Sequence, residues 1–521
     1  MVRGILTVGG WTMASRLLGF ARDILIAALL GAGPVADAFF VANRLPNLFR
    51  RLFGEGAFNA AFVPAFSALL SGEGRAAAAA FAGQAASVMT FWLLGLTILA
   101  EIFMPQVLAV IAPGFSDLPH KFALAVTLSR IAFPYMPLIC LTALVSGVLN
   151  GLDRFAAAAA APILYNVISI AFMLGLAGVL PTAGHALALA VSVSGIFQLA
   201  MVMWAARAAG MALHLPRPRL TPEVRVLLRR MLPGLLGAGV TQLNLSVDVI
   251  IGSLLPPGTV SVLYYADRVN QLPLGTIGAA VGTALLPALS RQVHGKTPRE
   301  AVATLNRAIE FALLLTLPAA LALAVCSVPI IAVLFGRGAF DPASVVKSAN
   351  AMAAYAAGLP AFVLVKVLVP AFFARGDTGV PVKVGMAAVA LNLALNLLFM
   401  TPLGYLGPPL ASTVAAWANV AALGMILLRR GHFAPDPVLR RRVPRMVLAG
   451  GVMAAVLWGM TGSVYAALDT GGGHGLRWLG LALLVGGGML AYGAAGQGLG
   501  AFDLREVVAR LARRRRPEAV G

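Results

Sequence analysis

The 521-residue chain is 60% hydrophobic and only 11% charged, with a mean hydropathy of +0.89. That composition excludes a water-soluble globular fold. A formal charge of +20 would suit nucleic acid, but the basic residues lie in the connections between apolar runs, so the charge reports membrane topology and contact with anionic headgroups.

Taken in chain order, apolar runs long enough to cross a hydrocarbon core about 30 Å thick centre near Leu18, Asn47, Leu93, Met136, Ile168, Ile196, Gly239, Gly275, Pro318, Pro360, Ala390, Val420, Ala455 and Val485. These are about fourteen predicted transmembrane helices, an all-α polytopic membrane protein. The ten-residue alternation of a membrane β-barrel is absent from the sequence. The first run carries Arg16, Arg22 and Asp23 and no small-residue cleavage site, so it reads as a retained helix and not a signal peptide.

Helices 1 and 2 hold charges that a bilayer-spanning segment should not. Helix 1 has Ser15, Arg16, Arg22 and Asp23; helix 2 has Asp37, Arg44, Arg50, Arg51 and Glu55, with Asn43, Asn47 and Asn59 between them. A charge at mid-bilayer costs about 2.5–3.5 kcal/mol on insertion scales, so it needs a partner, a polar cavity or a function. At helical spacing Asp37, Arg44 and Arg51 share one face, and Asn43, Asn47 and Arg50 form the adjoining stripe. Pro46, Gly54 and Gly56 loosen this helix and predict a bend suited to a moving gate. Guanidinium forks suit diphosphate or carboxylate oxygens, so Arg16, Arg22 and Arg268 read as substrate residues, with Ser15 and Asn47 as polar neighbours. Asp23 and Arg51 read as ion-pair or gating residues, and for Arg44 and Arg51 snorkelling to the surface competes with grip.

Further along, the connections at Arg217–Arg230, Arg291–Arg299 and Arg429–Arg445 and the tail at Arg513–Arg516 are basic, while those at Gly31–Pro34, Leu180–Gly184, Pro256–Gly258 and Leu403–Gly407 have no Lys or Arg. That alternation predicts both termini on the cytoplasmic side. Asp248 in helix 7 is a weak candidate for a cation site. Cys140 and Cys326 lie in separate apolar runs as small hydrophobes. No zincin, P-loop, serine-hydrolase or paired-cysteine motif occurs, so no cofactor or metal is expected, and membrane potential or a monovalent cation would have to couple any transport.

The chain also repeats itself. D-I-L-I-A-A-L-L-G-A-G-P-V-A-D-A-F-F from Asp23 aligns without gaps to D-V-I-I-G-S-L-L-P-P-G-T-V-S-V-L-Y-Y from Asp248, and F-V-P-A-F-S at Phe62 to L-L-P-A-L-S at Leu285. A constant offset of about 225 residues implies two parallel six-helix lobes around a central cavity. The expected domains are residues 1–215, 216–432, and 433–521 for helices 13 and 14 with a basic tail. The arginines of helices 1 and 2 have no counterparts in the repeat, whose main answer is Asp267-Arg268 after Tyr264-Tyr265.

The strings S-R-L-L-G-F-A-R-D at Ser15, A-D-A-F-F-V-A-N-R-L-P-N-L-F-R-R-L-F-G-E-G-A-F-N-A-A-F-V-P at Ala36, Y-Y-A-D-R at Tyr264 and A-R-G-D-T at Ala374 resemble the MviN/MurJ family of lipid II flippases. The resemblance implies the multidrug/oligosaccharidyl-lipid/polysaccharide exporter fold in the inner (plasma) membrane. It implies movement of an undecaprenyl-diphosphate-linked peptidoglycan precursor to the periplasmic leaflet by alternating access. It also implies that Arg16, Arg22, Arg50 and Arg268 hold the head group, and that Asp37, Glu55, Ser261 and Asp267 serve gating or essential polar contacts. Lipid II, membrane lipids and cell-wall synthases are the implied partners of a monomeric transporter. A flippase for another polyprenyl-linked oligosaccharide, and a non-transporting cell-wall scaffold, are the alternatives that the charges leave open.

Overall fold

The computed structural model describes residues 2–54, 57–295, 297–470 and 474–502. Glu55, Lys296 and the tail arginines Arg513–Arg516 lie outside the described residues. The described chain is helical nearly throughout and divides into two units, one of Met1–Ser261 with Arg337–Asp341, the other of Val262–Gly336 with Pro342–Gly521.

The first unit comprises α1 (Val2–Leu30), α2 (Pro34–Gly54), α3 (Ala57–Gly72), α4 (Arg75–Ile102), the short α5 (Met104–Ile111), α6 (Pro119–Ala132), α7 (Tyr135–Gly151), α8 (Phe155–Leu176), α9 (Ala183–Ala208) and α10 (Pro222–Leu254). Its core is aromatic. Phe62 stacks on Phe58, Phe66 and Phe81 with ring centroids 5.1, 5.8 and 5.5 Å apart, among small alanines of α4 and valines of α7. Lipid tails are as apolar as these rings, so the close stacking contributes through dispersion and shape and not through exclusion of water. Large apolar side chains such as Trp92, Leu174 and Trp204 stay exposed, as lipid-facing residues should.

α10 opens the second sequence repeat, yet it packs on α2, α3 and α4 of the first unit. The extended connection before it is tied to α4: the Gln84 amide donates to the carbonyls of Arg217 at 3.2 Å and Arg219 at 2.7 Å. Gly83 makes this approach possible, since a Cβ there would sit 2.4 Å from the His214 carbonyl oxygen. Residues 337–341 belong to the same unit through a backbone bond from Ala339 N–H to the Ala28 carbonyl at 2.8 Å.

The second unit contains most of α11 (Thr259–His294), then α12 (Pro298–Val325), the short α13 (Ser327–Phe335), α14 (Pro342–Ala356), α15 (Leu359–Phe373), α16 (Gly379–Leu403), α17 (Gly407–Arg429), α18 (Pro437–Met460), α19 (Ala466–Thr470) and α20 (His474–Gly498). A π-helical turn at Thr461–Tyr465 joins α18 to α19. The last helices, α18 and α20, pack together, and α18 lies against α12. Buried Met446, Met453, Leu457 and Tyr492 join one apolar core with Leu305, Ile309 and Leu313.

The duplication read in the sequence is visible in the element order. Each half runs from a long helix to a short one (α5, α13), then to a pair interrupted by a few residues (α6–α7, α14–α15), then to two long helices. The residues that end α4 and α12 have nearly the same backbone: Phe103 at φ −95, ψ 19 and Cys326 at φ −94, ψ 23. Nine helical stretches among the described residues are long and apolar enough to cross a membrane by length and composition. One of them, Gly379–Arg429, contains both α16 and α17, and the charged α1 and α2 are not among the nine. Taken with α1, α2–α3, α10 and α11, the order accommodates about fourteen spans.

Candidate functional site

Two polar clusters stand out in the first unit. The first centres on Arg22. Its Nε and Nη2 donate to Asp23 Oδ1 at 3.2 and 2.7 Å, and its Nη1 donates to Asn166 Oδ1 at 3.1 Å. The guanidinium lies 4.9 Å from the centroid of the Tyr165 ring, within cation–π range. Asn166 also donates from Nδ2 to the Ser15 carbonyl at 3.0 Å, two helical turns before Arg22 on the same face of α1. Asn43 Nδ2 reaches the Tyr165 hydroxyl at 3.4 Å, Asn47 Nδ2 donates to the Asn43 carbonyl at 2.9 Å, and Arg50 Nε donates to Asn47 Oδ1 at 3.2 Å. Two hydrogen-bonded groups, Ser15–Asn166–Arg22–Asp23 and Tyr165–Asn43–Asn47–Arg50, therefore meet where the Arg22 guanidinium lies against the Tyr165 ring, and together they join α1, α2 and α8. Arg16 is exposed one position beyond Ser15, and Asp23 takes Arg22 as its ion-pair partner.

The second cluster centres on Asp37, which is fully buried. Lys121 Nζ donates to its Oδ2 at 2.7 Å, as does Gly258 N–H at 2.7 Å. Its Oδ1 accepts from Ser261 N–H at 2.8 Å and from Ser261 Oγ at 2.7 Å. Gly258 and Ser261 flank the first turn of α11, so Asp37 caps that helix from a distance, with its charge at the positive end of the helix dipole. The Lys121 ammonium sits 3.9 Å from the centroid of the Phe115 ring. Four donors, one of them charged, compensate the desolvated carboxylate. The arginines that share its helix take no part in these bonds: Asp37 is matched by a lysine from α6. Ser261, grouped in the sequence with Asp37 among the gating or essential polar residues, is a hydrogen-bond donor to it here.

Asp267 and Arg268 are half-buried on the second-unit part of α11, where Gln271 Nε2 donates to Asp267 Oδ1 at 3.2 Å. Asp248 on α10 and Arg44 and Arg51 on α2 are half-buried. Sequence reasoning missed Lys121, Tyr165 and Asn166. Tyr165-Asn166, with only Ser169 for polar company in α8, contributes almost nothing to a periodicity. Lys121 follows Pro119-His120 at a helix start and reads as an ordinary connection.

Among the described residues, an all-helical, multi-span fold with a basic polar system built into its first helices is an architecture suited to a membrane transporter. The fold agrees. It superposes with a TM-score of 0.79 at 22% identity, over 96% of this chain and all of the other, on a structure described as lipid II flippase MurJ in an inward closed conformation. It also superposes with a TM-score of 0.65 at 16% identity, over 82% of this chain and 98% of the other, on an inward-facing multidrug resistance MATE family transporter of the MOP superfamily. In sequence, the family described as lipid II flippase MurJ matches residues 26–471. A probable lipid II flippase MurJ of Rhizobium meliloti (strain 1021) is 44% identical over 97% of this chain and 95% of its own length. A lipid II flippase MurJ of Burkholderia cenocepacia is 36% identical over 88% of this chain and 89% of its own length. The chain belongs to the MurJ lipid II flippase family, a multi-pass family of the cytoplasmic membrane.

Proposed function

We propose that this protein carries lipid II from the cytoplasmic to the periplasmic leaflet by alternating access, with both termini in the cytoplasm. The observation that supports it most is the hydrogen-bonded arginine system of α1, α2 and α8 in a chain matched by the flippase family over residues 26–471. Arg16, Arg22 and Arg50 grip the anionic diphosphate head group, and Arg268 of the second repeat adds a further guanidinium; the isoprenoid stays in lipid along α18 and α20. Asp37 acts as a gate: its bonds to Lys121 and the start of α11 hold one closed state, and Asp267 and Glu55 take part in the exchange of partners as the cycle proceeds. The two repeats act as the moving halves, as expected of residues 1–215 and 216–432. Membrane potential or a monovalent cation at Asp248 supplies the coupling. The protein acts as a monomer beside cell-wall synthases.

The test is complementation of a flippase-depleted cell, followed by translocation of lipid II in vesicles. Wild type clears inner-leaflet lipid II. Arg22→Ala and Arg268→Ala each slow translocation by about 10- to 100-fold, the range for losing charge-assisted hydrogen bonds of about 1.5–3 kcal/mol. Accumulated lipid II with wild type present would instead favour another polyprenyl-linked substrate or a scaffold. Wild-type rates in both variants would remove the arginines from the mechanism.

A further inference from the structure

The Arg22 system poses a question that its role as a head-group ligand does not answer: why a buried asparagine on α8 should hold an arginine on α1. Asn166 is 5% exposed, and a buried amide in an apolar helix costs free energy unless it is hydrogen-bonded. Both halves of its amide are used. The Ser15 carbonyl can only accept, so the Asn166 nitrogen must face it, which turns Oδ1 toward Arg22 and fixes the amide's orientation from the network. α8 is pinned in turn, because the buried Gln198 of α9 donates to the Ala161 carbonyl at 2.8 Å.

Asp23 accepts from Arg22 Nε and Nη2 through one oxygen, Oδ1, and so holds one edge of the guanidinium. The bond from Nη1 to Asn166 fixes the second corner, and the Tyr165 ring sits against the group. Fixed corners and a stacking ring define the plane of a fork whose value for a diphosphate is its geometry.

We infer that Asn166 is a positioning residue for lipid II: with the Tyr165 ring it sets the plane of Arg22 and thereby the affinity for the diphosphate head group. Tyr165 extends the same control to α2, since its hydroxyl takes Asn43 and the chain continues through Asn47 to Arg50. The inference rests on the reading of Arg22 as a head-group ligand.

The test is a double-mutant cycle on lipid II binding to full-length protein in nanodiscs, with thermal unfolding followed for every variant. Asn166→Leu is expected to weaken binding about tenfold, the loss of one charge-assisted hydrogen bond, and Arg22→Ala by at least as much. In the Arg22→Ala background, Asn166→Leu then has no further effect, because Asn166 acts only through that arginine. Asn166→Ala repeats the cycle with a small side chain that offers Arg22 Nη1 no acceptor, and decides the matter if the leucine variant does not fold. Wild-type affinity in both Asn166 variants alongside a loss in Arg22→Ala would overturn the inference and leave the Arg22 reading intact. Fully additive losses would also overturn it, by showing that Asn166 acts independently. Wild-type binding by Arg22→Ala would overturn the Arg22 reading itself.

Discussion

Asp37 is a buried carboxylate whose partners come from other helices. A carboxylate in an apolar helix is conspicuous, and three arginines on α2, Arg44, Arg50 and Arg51, invite pairing within the helix. The structure pairs it across helices instead, with Lys121 and the first turn of α11. Side chains of both ions are almost fully buried, at 5% and 1% exposure. Removing one partner of such a pair leaves an uncompensated charge, at a cost of about 3–5 kcal/mol. Lys121→Met is therefore expected to lower the melting temperature in detergent clearly. Adding Asp37→Asn recovers only part of the loss, because the new amide keeps an acceptor for Ser261 but turns its NH2 on the N–H of Gly258. A Lys121→Met protein that melts with wild type would mean that the pair contributes nothing to the fold.

At the scale of elements, most of what the sequence predicts comes from apolar length and from the repeat. The short α5 and α13 each carry a proline near their start, Pro105 and Pro329, and the break at Cys326 mirrors the one at Phe103. Packing partners were not legible: nothing in the composition of α10 announces that it joins the first unit, because apolar periodicity defines a helix and not its neighbour. Connections carry their own physics, as the A-R-G-D-T turn at Ala374 shows. Gly376 adopts φ 74, Asp377 Oδ1 accepts from Val380 N–H at 3.1 Å, and Asp377 Oδ2 pairs with Arg430 Nη1 at 2.6 Å. The Arg430 hydrogen bond, then the Val380 N–H, holds the Asp377 carboxyl below its usual range. The folded-state value is thus lower than the unfolded one, so the unfolded chain binds more protons in that window and the contribution rises with pH. It is fully present above the ordinary aspartate value of about 3.9 and is lost as pH falls through the depressed one. The melting difference between wild type and Asp377→Asn should stay level from neutral pH to about pH 5 and shrink in stronger acid. A difference that grew on acidification would contradict the pairing.

For the whole molecule, charge and not shape gives the direction in the membrane. The connection before α10 shows the two kinds of information together: its backbone is bound to α4 through Gln84, while its Arg217 and Arg219, and Arg225, Arg229 and Arg230 at the start of α10, are all exposed. Exposed arginines are the residues that anionic leaflets and the translocation machinery retain inside. The turn between α8 and α9, by contrast, has no Lys or Arg from Leu180 to Gly184, and Val179 beside it is 78% exposed. Both native cysteines are buried, so a chain with Cys140→Ala and Cys326→Ser is a modest change that leaves no thiol of its own. In that background Val179→Cys is expected to react with a membrane-impermeant maleimide on spheroplasts, whereas Arg219→Cys reacts only after the membrane is opened. The Arg219 substitution spares the backbone carbonyl that Gln84 uses, so the connection keeps its place. Labelling of Arg219→Cys in sealed spheroplasts, with Val179→Cys protected, would invert the topology and place the Arg22 system on a route running the other way.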